Sequence, residues 1–417
     1  VERAALESVG QQIGLPLGFG VAAGAARPSA GIQAIAGDII YLDNAATSWP
    51  TPPVVGEAMR HYLDVVGGSP GRGGHRRAVD AGRIVFDARE GLAELLGAAD
   101  LERVILLKNA TEALNLALLG TLHHGDRVVV SSLEHNSVMR PLRHLEAERD
   151  VEVHVVRCDP GGSLEPADLA AALTEPTRLV AIAHGSNVTG ALAPVGELAD
   201  VAHDAGALLL VDAAQTAGAH PIDATALGVD LLAFTGHKSL FGPQGTGGLV
   251  IGGQAPEPIM YGGTGSNSEA ERQPDLLPDR LESGTLNGVG FAGLGAGVGY
   301  VAVEGVERIA SRGRERLARL LDGLGAIPRV RVLGPADPER QIGVVSVEVE
   351  GRSPAEVGML LDERYGILTR VGLHCSPAAH RTLGTFPVGT IRLSLSHLTA
   401  DDHIDRAVAA LRELAAP

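Results

Sequence analysis

The chain has 417 residues, 45% of them hydrophobic but only 3% aromatic, with 55 glycines and a formal charge of −16. That charge opposes non-specific attraction to nucleic acid or to an anionic membrane surface, so an anionic ligand would need a local cationic pocket. The 2 cysteines, Cys158 and Cys375, offer neither a disulfide framework nor a metal-ligand spacing; no metal site is expected, and a reducing cytoplasm is the expected compartment.

Residues 1–37 show no sustained period. The uncharged run from Ser8 to Ala26 follows an acidic leader, opposite to a secretory signal, and Arg27-Pro-Ser-Ala-Gly31 interrupts it. A poorly specified extension is expected there. A large domain is expected over 38–300, its first residues packing with a smaller C-terminal domain over 301–417. It opens with the strand Ile39-Ile-Tyr-Leu42 and the turn Asp43-Asn-Ala-Ala-Thr47. Thr51-Pro-Pro then caps a helix running to about Val66, and Gly67-Gly-Ser-Pro-Gly-Arg-Gly-Gly74 is a loop.

Apolar positions recur at helical spacing from His75 to Gly97, and Arg103 to Leu107 reads as a short buried strand. Strands are then predicted at Arg127 to Ser131, Val151 to Val156, Arg178 to His184 and Ala207 to Val211. Helical stretches near 111–122, 137–148, 165–173 and 194–205 separate them. Further apolar runs at Leu231 to Phe234 and Gly248 to Ile251 extend the set, which predicts an α/β fold on a mostly parallel sheet.

The uncharged run Gly284 to Val303 is long enough to span a bilayer, yet its glycines point to a tightly packed soluble helix, and no membrane span is expected. Within it, Gly288-Val-Gly-Phe-Ala-Gly293 matches a dinucleotide-binding formula, but no strand precedes it; it is read as helix packing. Beyond residue 305 the order becomes helix, strand (Val344 to Val349), helix (354–365), strand (Thr390 to Ser394) and helix (401–414). That pattern predicts a smaller α+β unit.

Several strand ends carry polar residues. Lys238 lies in the apolar and glycine-rich stretch Ala233 to Gly248, where burial favours the neutral amine that can hold a carbonyl as a Schiff base. Ala110 and Thr111 begin a helix directly after a strand, either as an ordinary cap or as an anion site. Asp212 ends an apolar run and needs a cationic partner, which a protonated pyridine nitrogen or an arginine would supply. His135 and Asn187 lie on two further strand-end loops, offering a flat ring and a paired donor and acceptor. In an open α/β sheet such ends share one crevice.

Asp43-Asn-Ala-Ala-Thr47, Ala110-Thr-Glu112, Glu134-His135, Ser186-Asn-Val-Thr-Gly190, Val211-Asp-Ala-Ala-Gln215, Thr235-Gly-His-Lys238 and Glu282-Ser-Gly-Thr285 occur in that order. Together they resemble the class V aminotransferase family, nearest to SufS-type cysteine desulfurases and selenocysteine lyases, over about residues 38 to 414. The resemblance implies the fold of type I pyridoxal 5'-phosphate (PLP) transferases, with a seven-stranded-type sheet. It implies that Lys238 anchors the cofactor, Asp212 pairs with its pyridine nitrogen, His135 stacks on the ring and Gln215 reaches the phenolic oxygen. Thr111, Thr235 and His237 would hold the phosphate, with Ala110 beside them and Thr285 reaching over from a second subunit of a homodimer. Ala45, Asn187, Arg370 and Arg392 would bind the substrate, the guanidinium fork of Arg392 suiting a carboxylate.

Cys375, five residues beyond Arg370, resembles the desulfurase nucleophile, whereas Cys158 at a strand end reads as a buried structural thiol. The implied reaction converts L-cysteine to L-alanine, leaving a persulfide on Cys375 that passes to a sulfur-acceptor protein. Selenocysteine cleavage, transamination or direct C–S lysis are the alternatives on this fold. Two departures from the SufS-type pattern stand out: Gly71 precedes Arg72 where a histidine is frequent, and Thr235 replaces a serine.

Overall fold

The computed structural model describes residues 39–71, 73–159, 161–266 and 269–416; the expected N-terminal extension and Arg72 lie outside these residues. The centre is a seven-stranded sheet. Its strands are β2 (Val104–Leu107), β3 (Arg127–Ser131), β4 (Glu152–Val156), β5 (Leu179–Ala183), β6 (Leu208–Asp212), β7 (Leu231–Thr235) and β8 (Gly247–Ile251). Their spatial order is β2-β8-β7-β6-β5-β3-β4. Only β8 runs against its neighbours, so the other six strands point the same way.

Runs such as Leu231-Leu-Ala-Phe-Thr235 are buried on both faces, as a parallel sheet covered by helices requires. One face packs against a core that includes Leu92, Val129, Val211 and Phe234, and the other against one that includes Leu114, Leu142, Leu210 and Leu249. The predicted strand positions agree with the structure to within a residue or two at each end.

The glycine-rich run forms the helix Gly288–Glu304, packed against the helices Pro53–His61 and Arg76–Leu96. A Cβ on Gly297 would overlap the Leu240 carbonyl, and one on Gly293 would meet Met59 at 2.8 Å. The glycines therefore permit close helix approach, as the packing interpretation requires. Among the described residues no single helix is long and apolar enough to cross a membrane.

A second, antiparallel sheet has the order β12-β13-β10-β9, formed by β9 (Val330–Leu333), β10 (Val344–Val349), β12 (Arg370–Gly372) and β13 (Thr390–Ser394). The short strand β1 (Ile40–Tyr41) pairs in parallel with β11 (Ile367–Leu368), and Ile40 and Leu42 share a core with Leu317, Val345 and Leu411. The first described strand thus packs with the C-terminal elements before the chain enters the large sheet. Strands β9, β11 and β12 and the helix Pro377–Leu383 lack a sequence counterpart. They are short, and β9 (Val330-Arg-Val-Leu333) is only four residues at a sheet edge, where periodicity is weak evidence.

One buried ion pair ties the sheet to the segment that leads into the glycine-rich helix. Arg89 on the helix Arg76–Leu96 meets Glu282 at 2.6 and 2.9 Å, and the Leu106 N–H donates to the same carboxylate at 2.6 Å. Both side chains are almost fully buried. Removing one partner leaves the other charge unpaired in the interior. Arg89→Met should lower the unfolding free energy by about 3–5 kcal/mol, read from urea denaturation; a loss below about 1 kcal/mol would mean that the pair is solvated in solution.

Candidate active site

Because β2, β3, β5, β6 and β7 share a direction, their carboxyl ends lie along one edge of the sheet. The loops that follow close around a cavity of about 210 Å³. It is lined by Ala45, Ala110, Thr111, His135, Asn187, Asp212, Gln215, Thr235, His237, Lys238, Arg370, Cys375 and Arg392. Every site residue named from the sequence is therefore brought together except Thr285. That residue is exposed on the segment before the glycine-rich helix and does not line its own chain's cavity.

Lys238 lies in the tight turn after β7, where the Phe241 N–H donates to its carbonyl at 2.8 Å. The neighbouring His237 carbonyl accepts from Thr47 Oγ1 and from the Ser48 N–H, both at 3.0 Å, which fastens this turn to the Asp43 segment. Burial lowers the Lys238 pKa to about 8; Asp212 opposes the shift, and Arg392 and Arg370 add to it. Asp212, itself buried at the end of β6, accepts from the Ala214 N–H at 2.9 Å.

His135 caps the helix Asn136–Arg149, its Nδ1 accepting from the Ser137 N–H at 3.0 Å. That contact assigns the proton of the neutral ring to Nε2. Burial lowers the His135 pKa, with Asp212 pulling the other way. Ser137 Oγ also lies 2.8 Å from Thr111 Oγ1, joining the His135 loop to the start of the helix Ala110–Thr121. Burial, assisted by the Lys238 charge, pushes His237 down to about 4, so this ring is neutral at pH 7. Thr235 Oγ1 and His237 Nδ1 are buried without a hydrogen-bond partner among the described residues.

Cys375 follows β12 on a loop where His374 and Cys375 adopt φ of 47° and 60°, a left-handed conformation unfavourable to non-glycine residues. Asn187 spans this loop. Its Nδ2 donates to the His374 carbonyl at 2.6 Å, and its Oδ1 accepts from Ser376 Oγ at 2.8 Å. The Asn136 N–H holds the Cys375 carbonyl at 2.9 Å, while the Cys375 side chain remains exposed and accepts from Arg370 Nη2 at 3.7 Å. Cys158, by contrast, is buried in the large core, and burial raises its pKa.

Arg392 is almost fully buried. Its Nη2 pairs with Asp43 Oδ1 at 2.6 Å, its Nη1 donates to the Asn187 carbonyl at 3.1 Å, and its Nε has no partner among the described residues. Gln215 donates to the Ala45 carbonyl at 3.1 Å. Ser137, His374 and Ser376 carry no sequence signal of their own, because hydrogen bonds between loops leave no periodic trace. Glu134, from the motif Glu134-His135, also braces this edge. Fully buried, it accepts from Ser131 Oγ at 2.6 Å and the Ala183 N–H at 3.0 Å, joining the ends of β3 and β5, and burial raises its pKa to about 8. No three His, Cys, Asp or Glu side chains converge as a metal site among the described residues.

The family model for aminotransferase class V matches residues 40–407, and the chain belongs to that family. A probable cysteine desulfurase of Methanothermobacter thermautotrophicus is 36% identical over 386 residues, covering 91% of this chain and 95% of the relative. A cysteine desulfurase of Cronobacter sakazakii is 33% identical, covering 89% and 92% respectively. The apo cysteine desulfurase of Thermococcus onnurineus superposes with a TM-score of 0.85 at 31% identity, over 94% of this chain and 99% of that one. The α/β architecture is therefore the one shared with solved cysteine desulfurases, the fold of type I PLP enzymes.

The depressed Lys238 pKa carries a pH signature in the cofactor-free protein. Between about pH 8 and about pH 10.5 the unfolded chain holds a proton on this amine that the folded chain has released. Stability linked to Lys238 should therefore rise with pH across that window and be flat below it. Urea midpoints at about pH 7 and about pH 10 should show this slope in the native chain and not in Lys238→Met; equal slopes would rule out a depressed amine.

Proposed function

We propose that the protein is a PLP-dependent cysteine desulfurase, which takes sulfur from L-cysteine, releases L-alanine and carries the sulfur on Cys375 to an acceptor protein. One observation carries the reading: an exposed thiol on a loop of left-handed backbone lines the same cavity as a lysine of lowered pKa and a buried carboxylate. Transamination on this fold needs no such thiol. The two free cysteines also suit a reducing cytoplasm.

The residues present fit the cofactor. The unpartnered Thr235 Oγ1 and His237 Nδ1, with the first N–H groups of the helix at Ala110 and Thr111, form a cradle for a phosphate. Lys238 would anchor the aldehyde carbon, Asp212 would pair with the ring nitrogen, Gln215 would reach the ring oxygen and His135 would cover the ring face. When bound, the cofactor supplies an electron sink for the bond-breaking steps.

The chain's own residues supply the rest. Arg392 and Arg370 bring positive charge to the substrate carboxylate, and Asn187, through its hold on His374 and Ser376, fixes the loop that presents Cys375. Lys238 Nζ, with its pKa lowered to about 8, is suited to accept the substrate's Cα proton near neutral pH. Arg370 Nη2 lies 3.7 Å from Cys375 Sγ. Attack by the Cys375 thiolate on the substrate sulfur forms the S–S bond as the C–S bond breaks. The carbon skeleton keeps the bonding electrons and is protonated to alanine. Exposed Leu63, Val65 and Phe86 support association with a second copy, which would bring Thr285 to the neighbouring cavity.

Cys375→Ala should bind PLP with the visible absorption of the native protein, yet its alanine and sulfide output from L-cysteine should fall by about 100-fold or more. Undiminished output would remove the thiol from the reaction.

A further inference from the structure

Arg140, Arg143, Arg157 and Arg381 line one surface groove, and all four are exposed. Arg140 and Arg143 project from the helix Asn136–Arg149, Arg157 follows β4, and Arg381 lies on the helix Pro377–Leu383. Glu146 pairs with Arg143, whereas Arg140 and Arg157 have no ion-pair partner among the described residues, and Arg381 lies over the Phe386 ring at 4.3 Å. No acidic side chain among the described residues lines the groove. In a chain of formal charge −16 this is a local reversal of sign.

The groove is continuous with the Cys375 loop. Asn136 lines it, and the Asn136 N–H holds the Cys375 carbonyl at 2.9 Å. Pro377, two residues after Cys375, opens the helix that carries Arg381. A molecule seated on the arginines is therefore adjacent to the loop that carries the thiol. Met139, Val155 and Ala378 give the groove an apolar floor between the charges, a mixture of methionine, arginine and aliphatic surface that suits a protein partner. Nucleic acid fits less well, because the net charge of the whole chain repels a long polyanion and no aromatic side chain among the described residues lines the groove as a platform for bases.

We propose that this groove docks the acidic face of the protein that accepts sulfur from Cys375. The inference rests on the desulfurase reading above. It adds the surface and the charge of the partner: an acceptor thiol flanked by carboxylates, guided to Cys375 by the arginines. The transfer itself is an exchange in which the acceptor thiolate takes the outer sulfur of the Cys375 persulfide and Cys375 leaves as a thiolate.

The test uses the full chain with PLP, L-cysteine, and two synthetic single-cysteine peptides as probes, one rich in glutamate and one rich in lysine. Transfer to the glutamate peptide should be about tenfold faster than to the lysine peptide, and about 0.5 M NaCl should erase the advantage. The Arg157→Glu, Arg381→Glu double variant should lose the preference while dithiothreitol-driven sulfide release stays at the native rate. The milder Arg157→Gln, Arg381→Gln pair should lose part of it. Normal sulfide release with equal transfer to both peptides, or an unchanged preference in the variants, would overturn the groove assignment alone. An RNA oligonucleotide that binds the native chain, not the double variant, and blocks transfer would give the groove to nucleic acid and overturn it too. Absence of sulfide release from the native protein would defeat the desulfurase reading and this inference with it.

Discussion

The site depends on keeping an amine and a carboxylate together at the buried edge of the sheet. Lys238 loses proton affinity through burial and regains part of it from Asp212, so its pKa comes to rest near 8. A lysine in water would be almost wholly protonated at neutral pH, and one buried without Asp212 would shift further. The two groups belong to adjacent parallel strands or their ends, β6 and β7, and the pairing of Asp212 with Ala233 sets their register. Direction and register of two strands thus determine the chemistry available to one amine.

Fixation of the Cys375 loop is the complementary constraint. Its backbone carbonyls at His374 and Cys375 are held by Asn187 and Asn136, which follow strands of the large sheet, and its Ser376 hydroxyl is held by Asn187, while its sulfur is left exposed. Those bonds offset the cost of two non-glycine residues at positive φ. The thiol is therefore positioned by the sheet opposite to the one that carries it, and Cys158, packed in an apolar core, has no comparable access.

Much of the large sheet was legible in the sequence because parallel strands buried on both faces appear as unbroken apolar runs, as at Val128 to Val130 and Leu231 to Phe234. The site residues were legible for a related reason. Polar residues at the ends of such runs must lie at one edge, and the order of the motifs matched a known family. Less visible were β9, β11 and β12, whose residues pair at sheet edges or over two or three positions and carry too little pattern.

The sequence by itself determined the α/β alternation, the glycine-rich packing helix and which polar residues stand at the strand ends, since each follows from local pattern or residue type. Tertiary structure alone decided that Asn187 spans the Cys375 loop, that Asp43 occupies part of the Arg392 fork, and that Glu134 joins two strand ends. It also decided that four arginines from three separate segments share one groove. These contacts join residues far apart in the chain through hydrogen bonds and charges, interactions that depend on distance and direction in space and leave no periodic mark on the order of amino acids.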